Sequence, residues 1–427
     1  MIFVYEPLCK GLSHEKVNSG FLYGLSLAFP EEKIRLYADQ THITAIQSIL
    51  IHDDVKIDGL EFSPIFFKNK RGLSEVFQRW WQLKNLFSIA KREGVKKIFF
   101  LSFNAESLYV IKKLNTFFQL KFTFVLHGDF ENVANWPPIK NPITFPIKSF
   151  PIDPKSSNFF KKIRGGPKEI IQKIIRKFSL LIQRYLALNF SSQFFSLKKI
   201  IEYKNSEDFR YIVLSRHIQR NLDRFFDLSK IQFEVVTLPT KFRKVAATPL
   251  NEHAKFAVFG HGDSIALLNV ATLLLGRRID APYEIRIIGM DSRAALCSPH
   301  ITTTTKGNRL ERSRMEELAI DIDIFLILYD ESKYRLSCSG SILEAISLGK
   351  PVIHFDNQCV NEFNYIDAPI GYSCKSMNEF LEKMEYVIKN YASIQNDLQI
   401  FRDNIYKNRE KISIESSAPQ IKRSFTW

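Results

Sequence analysis

Short apolar runs alternate with stretches of helical periodicity along the first 130 residues. IFVY (2–5), KIRLYA (33–38), KKIFFL (96–101) and FTFVL (122–126) read as strands, and Val17–Phe29, Leu73–Glu93 and Ala105–Phe118 as the helices between them. Such alternation predicts parallel strands joined by crossover helices, and the unbroken apolarity of each run predicts strands buried on both faces. RYIVLS (210–215), with the helix after it, and FEVVTLP (233–239) close this series.

A second series follows: KFAVFG (255–260), Ile265–Leu275, EIRIIG (284–289), an extended HITTTT (300–305), Arg312–Ala319, DIFLILY (323–329), Ile342–Leu348 and PVIHF (351–355). The expected class is therefore α/β, with two Rossmann-like, doubly wound parallel-sheet domains facing a cleft. The first spans 1–239, a polar linker 240–252, and the second 253–395. Helices Met377–Asn390 and Asp397–Arg409 follow, so that 396–427 is a closing helix and tail poised to cross back to the first domain.

Residues 136–205 fit neither series and read as an insertion. WPPIKNPITFPIKSFPIDP has too many prolines for a regular helix or central strand. Pro167–Asn189 reads as a helix with Ile170, Ile171, Ile174, Phe178 and Leu181 on one face and Lys173, Arg176 and Lys177 beside it.

At 427 residues, 45% hydrophobic and 25% charged, the composition is that of a folded chain with more than one core. The net charge of +15 is concentrated: residues 140–204 carry 14 Lys and Arg against Asp153, Glu169 and Glu202. This segment suits an anionic membrane surface as well as it suits solvent. No arrangement of aromatics and cations typical of a nucleic-acid-binding module accompanies the charge, so no nucleic acid is expected. Five scattered cysteines suggest neither disulfides nor zinc. With no secretory-type leader and no apolar run of about 18 residues, the expectation is a cytoplasmic protein, peripheral on the inner face of the plasma membrane if the basic segment binds lipid.

The chemistry concentrates in SCSGSILEAISLGKPVI (337–353): a turn, a short helix, a glycine stop and the next strand. Ser339, Gly340 and Ser341 offer backbone N–H groups at a helix N-terminus, where a diphosphate binds well. Glu344 follows one turn in, placed to accept from a ribose diol. The stretch resembles the donor-binding domain of GT-B glycosyltransferases, above all glycosyltransferase family 4. That resemblance implies a UDP- or GDP-sugar substrate, no required metal, and Glu344 as ribose ligand. It also implies a second glutamate eight positions earlier, facing the donor sugar, where this chain has Leu336; Glu331 is the nearby acid.

Gly260 and Gly262 follow the first strand of the second series, where close backbone approach to phosphate is allowed. Arg309 and Arg335 are the preferred cations for the diphosphate, with Lys306 and Lys333 near them, and Gly289 ends the strand where the resemblance places the base. In the first domain His127, Asp129 and His14 stand in loops after strands, as candidate bases or contacts to sugar and acceptor. Ser215 reads as a helix cap, Cys338 as a half-buried thiol, and Asp321-Ile322-Asp323 as a strand entrance without metal. The expected activity is sugar transfer to a cell-envelope polysaccharide, lipopolysaccharide or lipid-linked acceptor. A UDP-sugar 2-epimerase-like isomerase, or a non-catalytic phosphate- or nucleic-acid-binding protein, are the alternatives on the same architecture.

Overall fold

The computed structural model describes the chain except for residues 67–72, 128–130, 132–196, 245–250, 260–263, 290–292, 297 and 305–309. Two all-parallel sheets organise it. The first has seven strands in the order β3-β2-β1-β4-β5-β6-β7: β1 (Ile2–Tyr5), β2 (Ile34–Ala38), β3 (Leu60–Pro64), β4 (Lys97–Phe100), β5 (Lys121–Val125), β6 (Phe209–Val213) and β7 (Gln232–Val235). The second has six in the order β10-β9-β8-β11-β12-β13: β8 (Ala254–Phe259), β9 (Tyr283–Ile288), β10 (Ile301–Thr303), β11 (Ile324–Ile327), β12 (Val352–Phe355) and β13 (Gly371–Cys374).

The central strands are apolar and buried on both faces. Phe3, Phe99, Phe122, Phe124 and Tyr211 are fully covered, and Phe122 stacks on Phe209 across β5 and β6 at 5.6 Å. Strand β3 does not stand out in the sequence because LEFSP is a half-buried edge with only two apolar side chains other than proline. The helix before it, α2 (Gln40–His52), is rich in Ile and Thr, and Asp39 starts it by accepting from Thr41 N–H.

The other helices are α1 (Glu15–Ala28), α3 (Leu73–Arg92), α4 (Ala105–Phe118), α5 (Leu197–Glu202), α6 (Arg216–Leu222), α7 (Ser264–Leu275), α8 (Arg312–Ala319), α9 (Gly340–Ser347), α10 (Gln358–Asn364), α11 (Met377–Lys389), α12 (Gln395–Ile412) and α13 (Ile414–Phe425). Gly349 stops α9 with a positive φ of 66°. Helix α13 returns to the first sheet: Phe425 packs on Phe29 and Phe99, and the Thr123 hydroxyl donates to the Ser424 carbonyl at 3.0 Å. Among the described residues no helix is long and apolar enough to cross a membrane. The helix expected at 167–189 and the Pro-rich stretch before it lie outside the described residues.

Candidate functional site

Helix α9 begins where the loop after β11 ends. The Ser339 hydroxyl caps it by accepting from Ser341 N–H at 3.2 Å, and Ser339 N–H donates to the Cys359 sulfur at 3.3 Å. The Ser341 hydroxyl donates to the Phe259 carbonyl at 3.0 Å and accepts from the Tyr329 hydroxyl at 2.9 Å, which ties the helix to the carboxyl end of β8. Both serines are thus engaged in building the turn. Gly340 is exposed, and a Cβ built there meets nothing within 4 Å, so a ligand has room at the positive end of the helix dipole.

One turn on, Glu344 sits in a cluster that joins the two halves of the molecule. Its carboxylate accepts from Lys16 Nζ of α1 at 3.0 and 3.1 Å and from the Arg312 guanidinium of α8, while Lys16 also donates to the Ser347 hydroxyl at 3.2 Å. Arg312 extends the cluster to Glu316 at 2.8 Å. Burial alone would raise the Glu344 carboxyl, but Arg312 and Lys16 overturn it and hold the group down at about 2. Burial and the Arg312 charge push Lys16 below its ordinary range despite its attraction to Glu344. Burial opposes the charge on the Arg312 guanidinium, and the Glu344 and Glu316 carboxylates more than offset it.

On the opposing face, the buried Glu6 carboxylate organises the loop after β1. It accepts from Leu8 N–H (2.8 Å), Cys9 N–H (3.0 Å), the Asn18 amide (2.9 Å) and the Ser102 hydroxyl. His42 donates from Nδ1 to the Gly11 carbonyl and accepts at Nε2 from Asn18, each at 2.8 Å. Glu6, Cys9 and His42 bring ligand atoms within 4.8 Å of one another, a metal-type grouping. The carboxylate and both ring nitrogens already have hydrogen-bond partners, and burial and Glu6 push the Cys9 thiol up, so the group fits a hydrogen-bond network better than a cation.

His14 and His127 come together beside this loop, with ring centroids 4.9 Å apart. His127 donates from Nε2 to the Leu101 carbonyl at 2.6 Å, which fixes the tautomer and leaves Nδ1 as the acceptor. Burial lowers its pKa against the opposing pull of Glu6 and the Leu101 carbonyl. His14 is the residue before α1, in left-handed conformation.

Three residues of the first half clasp the loop that leads into α9. Glu131 accepts from Leu336 N–H and from the Ser337 hydroxyl, both at 2.8 Å. The buried His217 donates from Nε2 toward the Tyr334 and Ser337 carbonyls at 2.9 and 3.1 Å, and Asn221 donates to the Arg335 carbonyl at 2.9 Å. A carboxylate from the other half therefore stands at the buried Leu336. Glu331 is exposed, and its carbonyl accepts from Arg335 Nε at 3.0 Å.

Gly289 takes a positive φ of 84° just after β9. Ser215 caps α6, and its hydroxyl meets His217 Nδ1 at 2.5 Å. Cys338 is half-buried, with its thiol pushed well up by the neighbouring Cys359 and by burial. Asp321 pairs with Lys255 and Arg286, and Asp323 accepts from Asn251 and Lys255 N–H at the start of β11. Asp129, Gly260, Gly262, Lys306 and Arg309 lie outside the described residues. Sequence reasoning missed Lys16, Arg312, Glu131 and Asn221; His217 follows a strand as His127 does, and the same rule would have found it.

Two parallel sheets with crossover helices, meeting through the loops at their carboxyl ends, match solved glycosyltransferase structures over nearly the whole chain. The chain has the GT-B fold. TarM of S. aureus, solved with fondaparinux, α-GlcNAc-glycerol and UDP, is similar at a TM-score of 0.58 and 11% identity, covering 100% of both chains. Anabaena HepE in complex with UDP-glucose gives 0.57 at 10% identity, covering 99% of this chain and 98% of that one. A glycosyltransferase from Rickettsia africae ESF-5 gives 0.54 at 14% identity, covering 99% and 95%. No family model and no curated protein matches the sequence. Within the GT-B frame, α9 belongs to the second sheet and the paired histidines to the first.

Proposed function

We propose that this GT-B protein is a glycosyltransferase that moves a sugar from a UDP or GDP donor to a saccharide or lipid-linked acceptor of the cell envelope. The observation that carries the reading is the start of α9: an open helix N-terminus at Gly340, one turn ahead of a largely covered, ionised Glu344. The diphosphate lies at Gly340 and the ribose hydroxyls donate to Glu344, displacing Lys16. Charge developing on the leaving diphosphate is stabilised by the helix dipole and by Arg309 or Arg335. HepE and TarM, with the same fold, were solved with UDP-glucose and UDP, which supports a nucleotide as the donor's leaving group.

The first half receives the acceptor. His127, neutral and with Nδ1 as acceptor, takes a hydrogen bond from a donor-sugar or acceptor hydroxyl, with His14 beside it and Asp129 as orienting or basic group. Glu131 supplies, from the other half, the carboxylate that Leu336 lacks next to the donor sugar. Approach of the halves then completes the sugar site and excludes water that would hydrolyse the donor. Residues 140–204 hold the protein against anionic lipid.

The test is product analysis with UDP- and GDP-sugars, with and without membrane extract from the source cell. The reading expects a glycosylated product that depends on the extract. Conversion of the nucleotide sugar to an epimer without any acceptor indicates an isomerase, and an unaltered nucleotide sugar in every mixture contradicts enzymatic transfer.

A further inference from the structure

A groove of about 810 Å³ runs between α6 of the first half and α10 of the second, and reaches the junction of α12 and α13. It lies behind the clasped loop 334–337, on the side formed by α6 and α10. Its lining is rich in donors. Arg216 and Arg220 lie one turn apart on α6, about 6 Å of helix rise, and Arg224 follows in the turn after the helix. Arg220 is paired with Glu362 at 2.8 Å, whereas Arg216 and Arg224 have no partner among the described residues. Lys411 adds a fourth cation, paired with Asp367 at the rim.

Of the amides in the lining, Asn221 and Asn361 spend their N–H groups inside the fold, on the Arg335 carbonyl and Gln358 and on Asp356, whereas the two glutamines keep theirs. Gln358 accepts at Oε1 from Asn221, and Gln420 accepts at Oε1 from Thr237 N–H, so each spends its acceptor inside the fold and keeps its amide N–H groups for an occupant. Glu362 is the one acid among the described lining residues, and Arg220 already neutralises it. Tyr365, 54% exposed, offers an apolar ring face in the same wall.

We infer that this groove binds an anionic saccharide chain, with Arg216 and Arg224 taking its carboxylate or phosphate groups and the amides of Gln358 and Gln420 its hydroxyls. The unpaired cations suit the charged groups of such a chain, and the glutamine amides add donors for its hydroxyl oxygens beside them. None of Ser339, Gly340, Ser341 and Glu344 lines the groove, so the inference does not depend on nucleotide binding.

The experiment is calorimetric titration of the full chain, without nucleotide, with a short oligogalacturonate, its methyl ester and a single-stranded oligonucleotide of equal charge. The wild type is expected to bind the acidic saccharide about tenfold or more tightly than the neutral ester, with affinity falling as salt rises. Arg216→Glu with Arg224→Glu, both at exposed positions, is expected to lose about tenfold or more in that affinity while melting at the wild-type temperature. Arg216→Lys with Arg224→Lys, which keeps the charge, retains most of it. Equal binding of ester and acid, unchanged affinity in the charge-reversed variant, no binding by the wild type, or tighter binding of the oligonucleotide would each overturn the inference.

Discussion

The Lys16 ammonium lies 3.0 and 3.1 Å from the two carboxylate oxygens of Glu344, a contact between residues 328 positions apart and in opposite halves of the molecule. Both side chains are largely covered, at 22% and 14% exposure, so the contact is neither a solvated surface pair nor a fully buried one.

Removing one partner of such a pair leaves a covered charge uncompensated, at a cost of roughly 3 kcal/mol for Glu344→Gln, since Arg312 keeps Glu316. Lys16→Met costs less, about 1 kcal/mol, because Arg312 still neutralises the carboxylate. The double variant is expected to recover about half of the loss in Glu344→Gln, by relieving the Lys16–Arg312 repulsion. Denaturant melts of the four proteins check the cycle. Nucleotide titration of the same set separates structure from recognition: Lys16→Met binds UDP or GDP at least as well as the wild type, and the double variant does not regain binding with its stability.

Acid should weaken the fold in two windows. His354 is buried, donates from Nδ1 to the Phe355 carbonyl at 2.7 Å and has no partner at Nε2, and burial lowers its pKa from 6.5 to about 4. A histidine held neutral in the folded state contributes full stability above about 6.5, lost as pH falls toward 4, by up to roughly 3 kcal/mol. Glu344, held at about 2 against a usual 4.5, contributes full stability above 4.5, lost as pH falls toward 2. Urea melts across pH 7 to 4 are expected to show a shallower decline for His354→Leu than for the wild type; parallel declines would count against a buried neutral histidine.

Glu131→Gln keeps a carbonyl oxygen for Leu336 N–H and the Ser337 hydroxyl, so the clasp survives while the charge goes. Loss of one charge-assisted hydrogen bond to the donor sugar is expected to lower kcat/KM by roughly tenfold to a hundredfold. Affinity for the nucleoside diphosphate without sugar stays as in the wild type. A parallel fall in both would mean that Glu131 serves the loop and not the sugar.

His127→Asn is expected to reduce kcat by about a hundredfold or more. In the wild type, activity declines on the acid side at a pH below the usual histidine value, because burial lowers the His127 pKa and protonation removes the Nδ1 acceptor. The variant lacks that limb in its pH–rate profile.

The parts of the fold visible in the sequence are those where burial and periodicity agree. Strands such as KKIFFL and FTFVL are covered on both faces, and α9 is bracketed by a serine cap and a glycine stop, each a local signal. β3 and α2 escaped because an edge strand needs few apolar residues, and because Ile and Thr in QTHITAIQSILIH blur the distinction between helix and strand. At the site, Glu344 was legible as a residue but its partners were not. Lys16 and Arg312 reach it from distant helices, and Glu131 meets Leu336 across 205 positions, relationships that only the packing of two sheets creates.

The most direct test is to follow the backbone amide resonances of Ser339, Gly340 and Ser341 while UDP and then GDP are added to the full chain. Nucleotide binding at α9 predicts saturable shifts at these three amides with one of the two, matched by heat of binding and strongly reduced in Glu344→Gln with Lys16→Met. Saturation with both nucleotides while these amides stay unmoved, or absence of binding to either, would contradict the placement of a nucleotide-sugar donor in the C-terminal half.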